Sequence, residues 1–194
     1  MPRSPADRPP SGILVPMSTT TNQPPDQPPG QPPGEVRLRA LTESDVRRVL
    51  ALNEAEVAML APMDELRLRH LHDLAHQFAV IDVDGAFGGF VVTFAPGADY
   101  DSENYRWFTE RYGAGFLYLD RVVVDPAVRR RGVAGRVYDL VESVASAYGL
   151  LALEVNLVPR NDASLAFHLA RGFVEVGRLG DDSHLVSLQT KQLR

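Results

Sequence analysis

The sequence has no cysteine, no long apolar run and no excess of positive charge. Without cysteine, the 194-residue chain can form no disulfide, thiolate zinc site or cysteinyl intermediate. No apolar run approaches about 18 residues, and no charged segment precedes an apolar one at the start, which argues against a spanning helix and a secretory signal. The formal net charge of −5 argues against a nucleic-acid surface. We therefore expect a cytoplasmic protein that binds neither membrane nor nucleic acid.

Proline is scarce except near the amino terminus. Residues 1–34 hold most of the prolines, and residues 22–34 repeat the unit Gln-Pro-Pro. Such a segment buries too little apolar surface to offset the entropy of ordering it, so we expect a disordered tail over residues 1–34. The tail is either an inert linker or a ligand for a proline-recognising partner. Residues 35–194 are predicted to form one domain.

Hydrophobic periodicity divides this domain into strands and helices. Strands are predicted over residues 36–41, 78–83, 87–94, 116–124, 151–158, 173–178 and 184–189. Helices are predicted over residues 46–53, 66–76, 134–148 and 162–171. The order predicts an α/β fold of the α+β type, with helices flanking a sheet.

The most informative segment, residues 117–140, runs from an apolar strand through an Arg/Gly turn into an amphipathic helix. Arg129, Gly132 and Ala134 follow the order Arg-x-x-Gly-x-Ala, and Gly135 is next. Small residues let the backbone close around an anion, while the first helix turn offers unpaired N–H groups and the positive end of its dipole. The turn predicts a pyrophosphate site, with a solvated Arg-rich loop as the alternative. It is neither a Walker loop nor a dinucleotide fingerprint, because it lacks their glycine and lysine patterns.

The same turn resembles the acetyl-CoA motif of the GNAT N-acetyltransferases, which follows a strand ending in Val-x-Pro. Downstream, Asn161, Gly172 and Phe173 are similar to the family's Asn…Gly-Phe helix. The segment departs from the family at His168, where a tyrosine is most common. The resemblance implies the acyl-CoA N-acyltransferase fold, in which helices flank a mixed, mostly antiparallel central sheet.

The resemblance covers residues 35–194 and is most specific between residues 118 and 173. Residues 97–102 and 105–108 are also similar to segments of uncharacterised bacterial members of the family. This second likeness supports the fold and says little about the substrate.

The resemblance implies acetyl-CoA as cosubstrate and no metal. The pyrophosphate would bind the backbone of the Arg/Gly turn beside its three arginines. The pantetheine arm would run along the preceding strand, with the N–H of Val123 as first choice for polarising the thioester carbonyl. Asn161 is either a further cofactor contact or the cap of the following helix. The implied cofactor-binding residues are Val122, Val123, Val124, Arg129, Arg130, Arg131, Gly132, Val133, Ala134, Gly135 and Asn161.

A carboxylate interrupts an apolar strand at Glu154. Apolar neighbours raise the pKa of a carboxyl group toward the range useful to a base near neutrality. In the resembling family a Glu at this position often accepts the proton of the amine, which makes Glu154 the first candidate for the base. Asp120, on the preceding strand, is the competing base. A structural ion pair between Glu154 and Arg160 is the alternative interpretation.

His168 is the candidate acid. The family's tyrosine at this position protonates the departing thiolate, and a histidine with an ordinary pKa of about 6.5 can do the same near neutrality. Helical spacing places His168 on one face with Asn161 and Ser164, and predicts that Ala166, Leu169 and Phe173 face the core. If His168 has no chemical role, Tyr138 or water must supply the proton.

The acceptor site is predicted at residues 59–68 and at a hairpin exit over residues 97–108, which border the acceptor cleft in resembling proteins. Their acids and aromatics suit a cationic amine through charge attraction and cation–π contact, although the aromatics could equally pack on the sheet. The candidate residues are Tyr100, Asp101, Tyr105 and Trp107. The histidines at 70, 72 and 76 lack an accompanying carboxylate cluster and are typical of a solvated face rather than a metal site.

These features predict an acetyl-CoA-dependent N-acetyltransferase that acts on a primary amine of a small molecule, peptide or protein. The alternatives are a non-catalytic acyl-CoA-binding regulatory module of the same fold and an enzyme with a longer acyl donor. The sequence leaves open whether the protein forms a homodimer.

Overall fold

The computed structural model describes residues 34–193, which form a seven-stranded sheet in the order β1-β2-β3-β4-β5-β7-β6 with five helices around it. The strands are β1 Val36–Ala40, β2 Gln77–Val83, β3 Ala86–Phe94, β4 Leu117–Val124, β5 Leu150–Val158, β6 Val174–Gly180 and β7 Leu185–Gln192. The helices are α1 Glu43–Ala55, α2 Glu65–Leu74, α3 Glu103–Tyr112, α4 Val133–Ala145 and α5 Asp162–Ala170. The predicted fold class is confirmed. The predicted disordered tail lies outside the described residues, apart from Gly34.

The sheet opens in its middle. All neighbouring strands are antiparallel except β4 and β5, which are parallel and pair only at Leu117↔Leu151 and Tyr118↔Ala152. Beyond these pairs β4 remains bonded to β3, and β5 remains bonded to β7. The two strands therefore diverge and leave two facing edges, each with backbone groups that no strand pairs.

Apolar side chains cover both faces of the sheet. One cluster packs α1, α2 and α3 against the sheet through residues such as Val49, Leu68 and Phe108. The other packs α4 and α5 against the opposite face through Val137, Val141 and their neighbours. Because both faces are covered, the divergence of β4 and β5 is the place where the sheet itself opens toward a ligand.

Helix α3 was absent from the sequence prediction, which treated residues 97–108 as a hairpin exit. Ser102 caps the helix, since its Oγ accepts the N–H of Tyr105 at 3.3 Å, and Gly113 ends it with a positive φ of 57°. Tyr105 and Phe108 are buried. Aromatic residues are weak helix formers, so packing rather than local propensity stabilises this helix.

The predicted inner face of α5 was wrong. Leu169 is 75% exposed and Ala166 is also exposed, whereas His168 is 5% exposed. Only Phe173, which follows the helix, is buried as predicted. The polar His168 lies inside because it finds hydrogen-bond partners there, which removes most of the cost of burying it.

Candidate active site

Two cavities meet at the divergence of β4 and β5. The first, which we name the strand cleft, has a volume of about 310 Å³ and lies between these strands and the helices α4 and α5. The second, the lateral cavity, has a volume of about 530 Å³ and lies between residues 57–62, residues 100–104 and the start of β7. Both cavities are lined by Met59, Leu60, Asp120, Arg121, Glu154 and Asn156.

The backbone of β4 forms one wall of the strand cleft. In an antiparallel pair, successive residues direct their N–H groups alternately toward and away from the partner strand. The N–H of Asp125 donates to the Gly88 carbonyl of β3 at 2.9 Å, and the register pairs Val123 with Phe90. The N–H of Val123 therefore points at β3. This corrects the prediction that it polarises a substrate carbonyl, because Val122 and Val124 present their N–H groups to the cleft.

A β-bulge interrupts the pairing of β4 with β3 between Leu119 and Arg121. Arg121 pairs with Val92 and Leu119 pairs with Thr93, so Asp120 has no partner residue on β3. A bulge bends its strand and redirects the side chains on it. Asp120 is thereby placed at the boundary between the two cavities.

The Arg/Gly turn leads into the start of α4. Gly132 is the N-cap, with a φ of 77°, and no side chain of the described residues caps the helix. The first intrahelical bond runs from the N–H of Arg136 to the Gly132 carbonyl. The N–H groups of Val133, Ala134 and Gly135 precede that bond and have no acceptor within the helix. This is the backbone arrangement to which phosphate groups bind.

Arg129 shapes this turn rather than offering its charge to a ligand. Its Nε donates to the Val124 carbonyl at 2.8 Å, and its guanidinium forms an ion pair of 2.5 Å with Glu56. Glu56 pairs with the charge that the prediction assigned to the anion, although Arg129 also lines the strand cleft. Arg130 is exposed, and Arg131 lies 4.0 Å from Asp84.

Glu154 lines both cavities from β5. Its Oε2 accepts the hydroxyl hydrogen of Tyr118 at 2.5 Å. Burial disfavours the charged form and, together with the negative charge of Asp120, raises the pKa of Glu154 from 4.5 to about 7, although hydrogen bonds from Tyr118 and Asn104 oppose the shift. The alternative ion pair with Arg160 does not form, because Arg160 pairs with Asp162 at 2.6 Å.

Asp120, the competing base, has both carboxylate oxygens occupied. Oδ1 accepts the hydroxyl hydrogen of Tyr100 at 2.6 Å, and Oδ2 accepts from Nε of Arg121 at 2.9 Å. Arg121 is in turn bound to the side chain of Asn53 at 2.6 Å and to the Ala61 carbonyl at 3.0 Å. This network fixes Asp120 as the partner of a buried arginine and leaves Glu154 as the carboxyl group better suited to accept a proton.

His168 lines the strand cleft in a neutral state. Its Nδ1 lies 2.7 Å from the Ser164 carbonyl, and its Nε2 lies 2.6 Å from the hydroxyl of Tyr138. A carbonyl can only accept, so Nδ1 carries the hydrogen and Nε2 accepts from Tyr138. Burial lowers the pKa of His168 from 6.5 to about 4. With this pKa the side chain carries no imidazolium proton at neutral pH, which argues against its predicted role as the acid.

Asn161 caps α5, which is one of its two predicted roles, and its contact with a cofactor stays a prediction. Its Oδ1 caps α5 by accepting the N–H of Ser164 at 3.1 Å, and the residue also lines the strand cleft. The cleft further includes predicted residues from β4, the turn and α4, namely Val122, Val123, Val124, Arg129 and Ala134.

Of the predicted acceptor residues, Tyr100 and Asp101 line the lateral cavity, whereas Tyr105 and Trp107 do not. Tyr105 is 2% exposed, and its hydroxyl bridges the Ala95 carbonyl and the N–H of Ala98. Trp107 packs against the core. The alternative interpretation, that these aromatics pack on the sheet, is the correct one for Tyr105 and Trp107.

Arg67 and Asn104, which also line the lateral cavity, lie within the predicted acceptor segments 59–68 and 97–108. Two other lining residues, Asn156 and His184, gave no signal in the sequence. They come from separate elements far apart in the chain, so no local spacing connects them. Within residues 34–193, no group of three or more histidine, aspartate or glutamate side chains could hold a metal ion, and no helix is long and apolar enough to cross a membrane.

Comparison with known proteins supports the fold described above. Residues 44–173 match the model of the Acetyltransferase (GNAT) family. No curated protein matches the sequence significantly. Among solved structures, Ard1 from Thermoplasma volcanium is 20% identical with a TM-score of 0.62, over 82% of this chain and 98% of that one.

Two further solved structures have similar folds. An N-acetyltransferase from Staphylococcus aureus Mu50 is 18% identical with a TM-score of 0.59, over 83% of this chain and 100% of that one. The ribosomal-protein-S18-alanine N-acetyltransferase from Escherichia coli is 16% identical with a TM-score of 0.58, over 82% and 94%. At these identities the likeness shows the fold alone.

Proposed function

The chain belongs to the GNAT family of acetyltransferases, and we propose that it transfers the acetyl group of acetyl-CoA to a primary amine bound in the lateral cavity. The observation that carries this proposal is the position of Glu154, which lines both cavities. A proton acceptor at the junction of two binding spaces can act on a nucleophile from one space while that nucleophile attacks an electrophile in the other.

The strand cleft would hold the acyl donor. The pyrophosphate would bind the N–H groups of Val133, Ala134 and Gly135, and the pantetheine arm would lie along the open edge of β4 as an added strand. Val122 lies nearer than Val124 to the point where β4 and β5 separate, and hence nearer to Glu154. We assign the N–H of Val122 to the thioester carbonyl, where it would stabilise the developing oxyanion.

The reaction would proceed by direct attack of the amine. The amine nitrogen forms a bond to the acetyl carbon, the carbon–sulfur bond breaks, and Glu154 takes the proton that the nitrogen loses. The departing thiolate also needs a proton. Tyr138 directs its hydroxyl hydrogen at the neutral His168, so we assign this second proton to solvent water.

Release of free CoA thiol from acetyl-CoA, measured with a mixed panel of amines and peptides, tests this proposal. Acetyl-CoA should also raise the melting temperature, because a ligand that binds only the native state stabilises it. A melting shift with no thiol release for any acceptor would overturn the enzymatic assignment and favour a non-catalytic acyl-CoA-binding module. Repeating the assay with longer acyl-CoA esters would define the donor.

A further inference from the structure

The charged side chains of the lateral cavity largely neutralise one another. Arg67 forms a bidentate pair with Asp101, with N–O distances of 2.6 and 3.0 Å. Asp120 pairs with Arg121 at 2.9 Å. Among the acidic and basic residues that line this cavity, only Glu154 and His184 have no ion-pair partner within residues 34–193. Apart from Glu154, the proposed base, and His184, a second charge on the acceptor would therefore meet only charges that are already paired.

The aromatic surface of the cavity is also occupied. One neighbour of the Tyr100 ring is the guanidinium of Arg67, 5.7 Å from the ring centroid. Another is Phe94, which stacks at 4.0 Å and 12°. The hydroxyl of Tyr100 donates to Asp120. This ring already has a cation and a stacking partner, so it offers little to an ammonium group of the substrate.

Most of the remaining lining residues are apolar, and the polar ones, Ser102, Asn104 and Asn156, carry no charge. Six consecutive residues form an apolar wall, namely Val57, Ala58, Met59, Leu60, Ala61 and Pro62. Val186 of β7 adds a further apolar side chain. Burying a charged group against such a wall without a partner is unfavourable, whereas an apolar group gains by leaving water.

We propose that the acceptor is a primary amine on an uncharged, apolar carbon body. This inference rests on the proposed function and specifies its substrate class. It reverses the expectation from the sequence that the acids and aromatics select a cationic amine, because Arg67 neutralises Asp101 and Arg121 neutralises Asp120. A free alkyl or aryl amine has this chemistry, and the amino terminus of an uncharged peptide with apolar side chains shares the lack of a second charge.

A matched set of amines tests the proposal. Hexylamine, 1,6-diaminohexane and 6-aminohexanoate present the same six-carbon chain with an uncharged, a cationic or an anionic far end. We expect kcat/KM for hexylamine to exceed that of each charged analogue by on the order of tenfold, since an unpaired charge would be desolvated. An amidated peptide with alanine at its first two positions, assayed beside hexylamine, distinguishes the peptide source from the free amine.

Two substitutions in the Arg67–Asp101 pair sharpen the test. Arg67→Gln frees the carboxylate, so the ratio of diaminohexane to hexylamine turnover should rise. Asp101→Asn frees the guanidinium, so the ratio for aminohexanoate should rise instead. Ratios within one variant cancel any common loss of folded protein. Arg69→Gln removes an arginine of the same helix that pairs with Glu43 and Glu65 outside the cavity, and should leave both ratios unchanged.

The outcomes separate this inference from the function on which it rests. Thiol release that favours a charged analogue over both hexylamine and the uncharged peptide would overturn the inference and uphold the acetyltransferase. Ratios that do not move in either pair variant would also overturn it. No thiol release with any amine would overturn the proposed function itself, and the inference with it.

Discussion

The strand cleft and the lateral cavity share Glu154 but are built from different groups. Backbone N–H groups of β4 and α4 face the cleft and are the proposed contacts for the anion and the carbonyl group, and Gly132 at a φ of 77° leads into the helix. The lateral cavity consists of side chains from separate elements, with its charges paired across them. A site made of backbone leaves a local sequence pattern, whereas a site made of distant side chains leaves none.

The largest expected effect concerns Glu154, one of the six residues that line both cavities. Glu154→Gln removes the proposed proton acceptor and should lower kcat/KM roughly 100-fold or more, on the scale of general base catalysis. Acetyl-CoA should still raise the melting temperature, because the contacts of the cleft remain. Wild-type turnover should fall as the pH drops below about 7, where Glu154 is protonated, and the variant should lack this acidic limb.

Glu103→Gln, at an exposed position on α3, is the matched control and should behave as wild type.

Glu154→Gln should also change the stability of the protein. The pKa of Glu154 is raised in the folded state, so its contribution is present at low pH and is lost as the pH rises from about 4.5 to about 7. Glu154→Gln should therefore raise the melting temperature at pH 8 relative to wild type. Full activity of Glu154→Gln would refute the assignment of Glu154 as the base.

The second prediction concerns a substitution that should abolish CoA binding in the strand cleft and leave the lateral cavity intact. Gly132→Glu places a side chain and a negative charge where the pyrophosphate would approach, and should abolish the melting shift caused by CoA. Gly172→Glu is a matched control, because Gly172 also has a positive φ, of 85°, and does not line the cleft. Gly172→Glu should keep the shift. An unchanged shift in Gly132→Glu would contradict the phosphate assignment.

The third prediction tests whether His168 acts by packing or by chemistry. His168→Phe removes the acceptor of the Tyr138 hydroxyl, and an unsatisfied buried hydroxyl costs about 1–3 kcal/mol. Turnover should change little. The double variant with Tyr138→Phe should recover part of the stability, as measured by denaturant unfolding.

The pH dependence of the same variant provides an independent check. Because burial lowers the pKa of folded His168 to about 4, its stability contribution is present above pH 6.5 and is lost as the pH falls through about 4. His168→Phe should reduce this acid sensitivity. A large loss of turnover with intact CoA affinity would restore His168 as the acid.

The smallest expected effect concerns Tyr118, which donates to Glu154 from the buried side. Tyr118→Phe removes a hydrogen bond that lowers the pKa of Glu154, so the acidic limb of the turnover profile should move to higher pH. Only a modest loss of turnover is expected at pH 8.5. A purely structural role would lower turnover at all pH values without moving the limb.

Local pattern predicted most of the sheet. The strands that form the cleft were expected at residues 116–124 and 151–158, and the structure has them at Leu117–Val124 and Leu150–Val158. Period-2 alternation and the turn residues between strands are local properties. Helix α3 was missed because its aromatic residues have low helix propensity and become helical by packing on the sheet.

The sequence by itself determined the strand, the Arg/Gly turn and the amphipathic helix, because their chemistry lies within about 25 consecutive residues. It also placed a carboxylate in an apolar strand at Glu154. Only the tertiary structure decided that the N–H of Val123 points at β3, that burial lowers the pKa of His168 and that Arg67 neutralises Asp101. Strand register, desolvation and ion pairing depend on neighbours distant in the chain, and the folded protein alone brings those neighbours together.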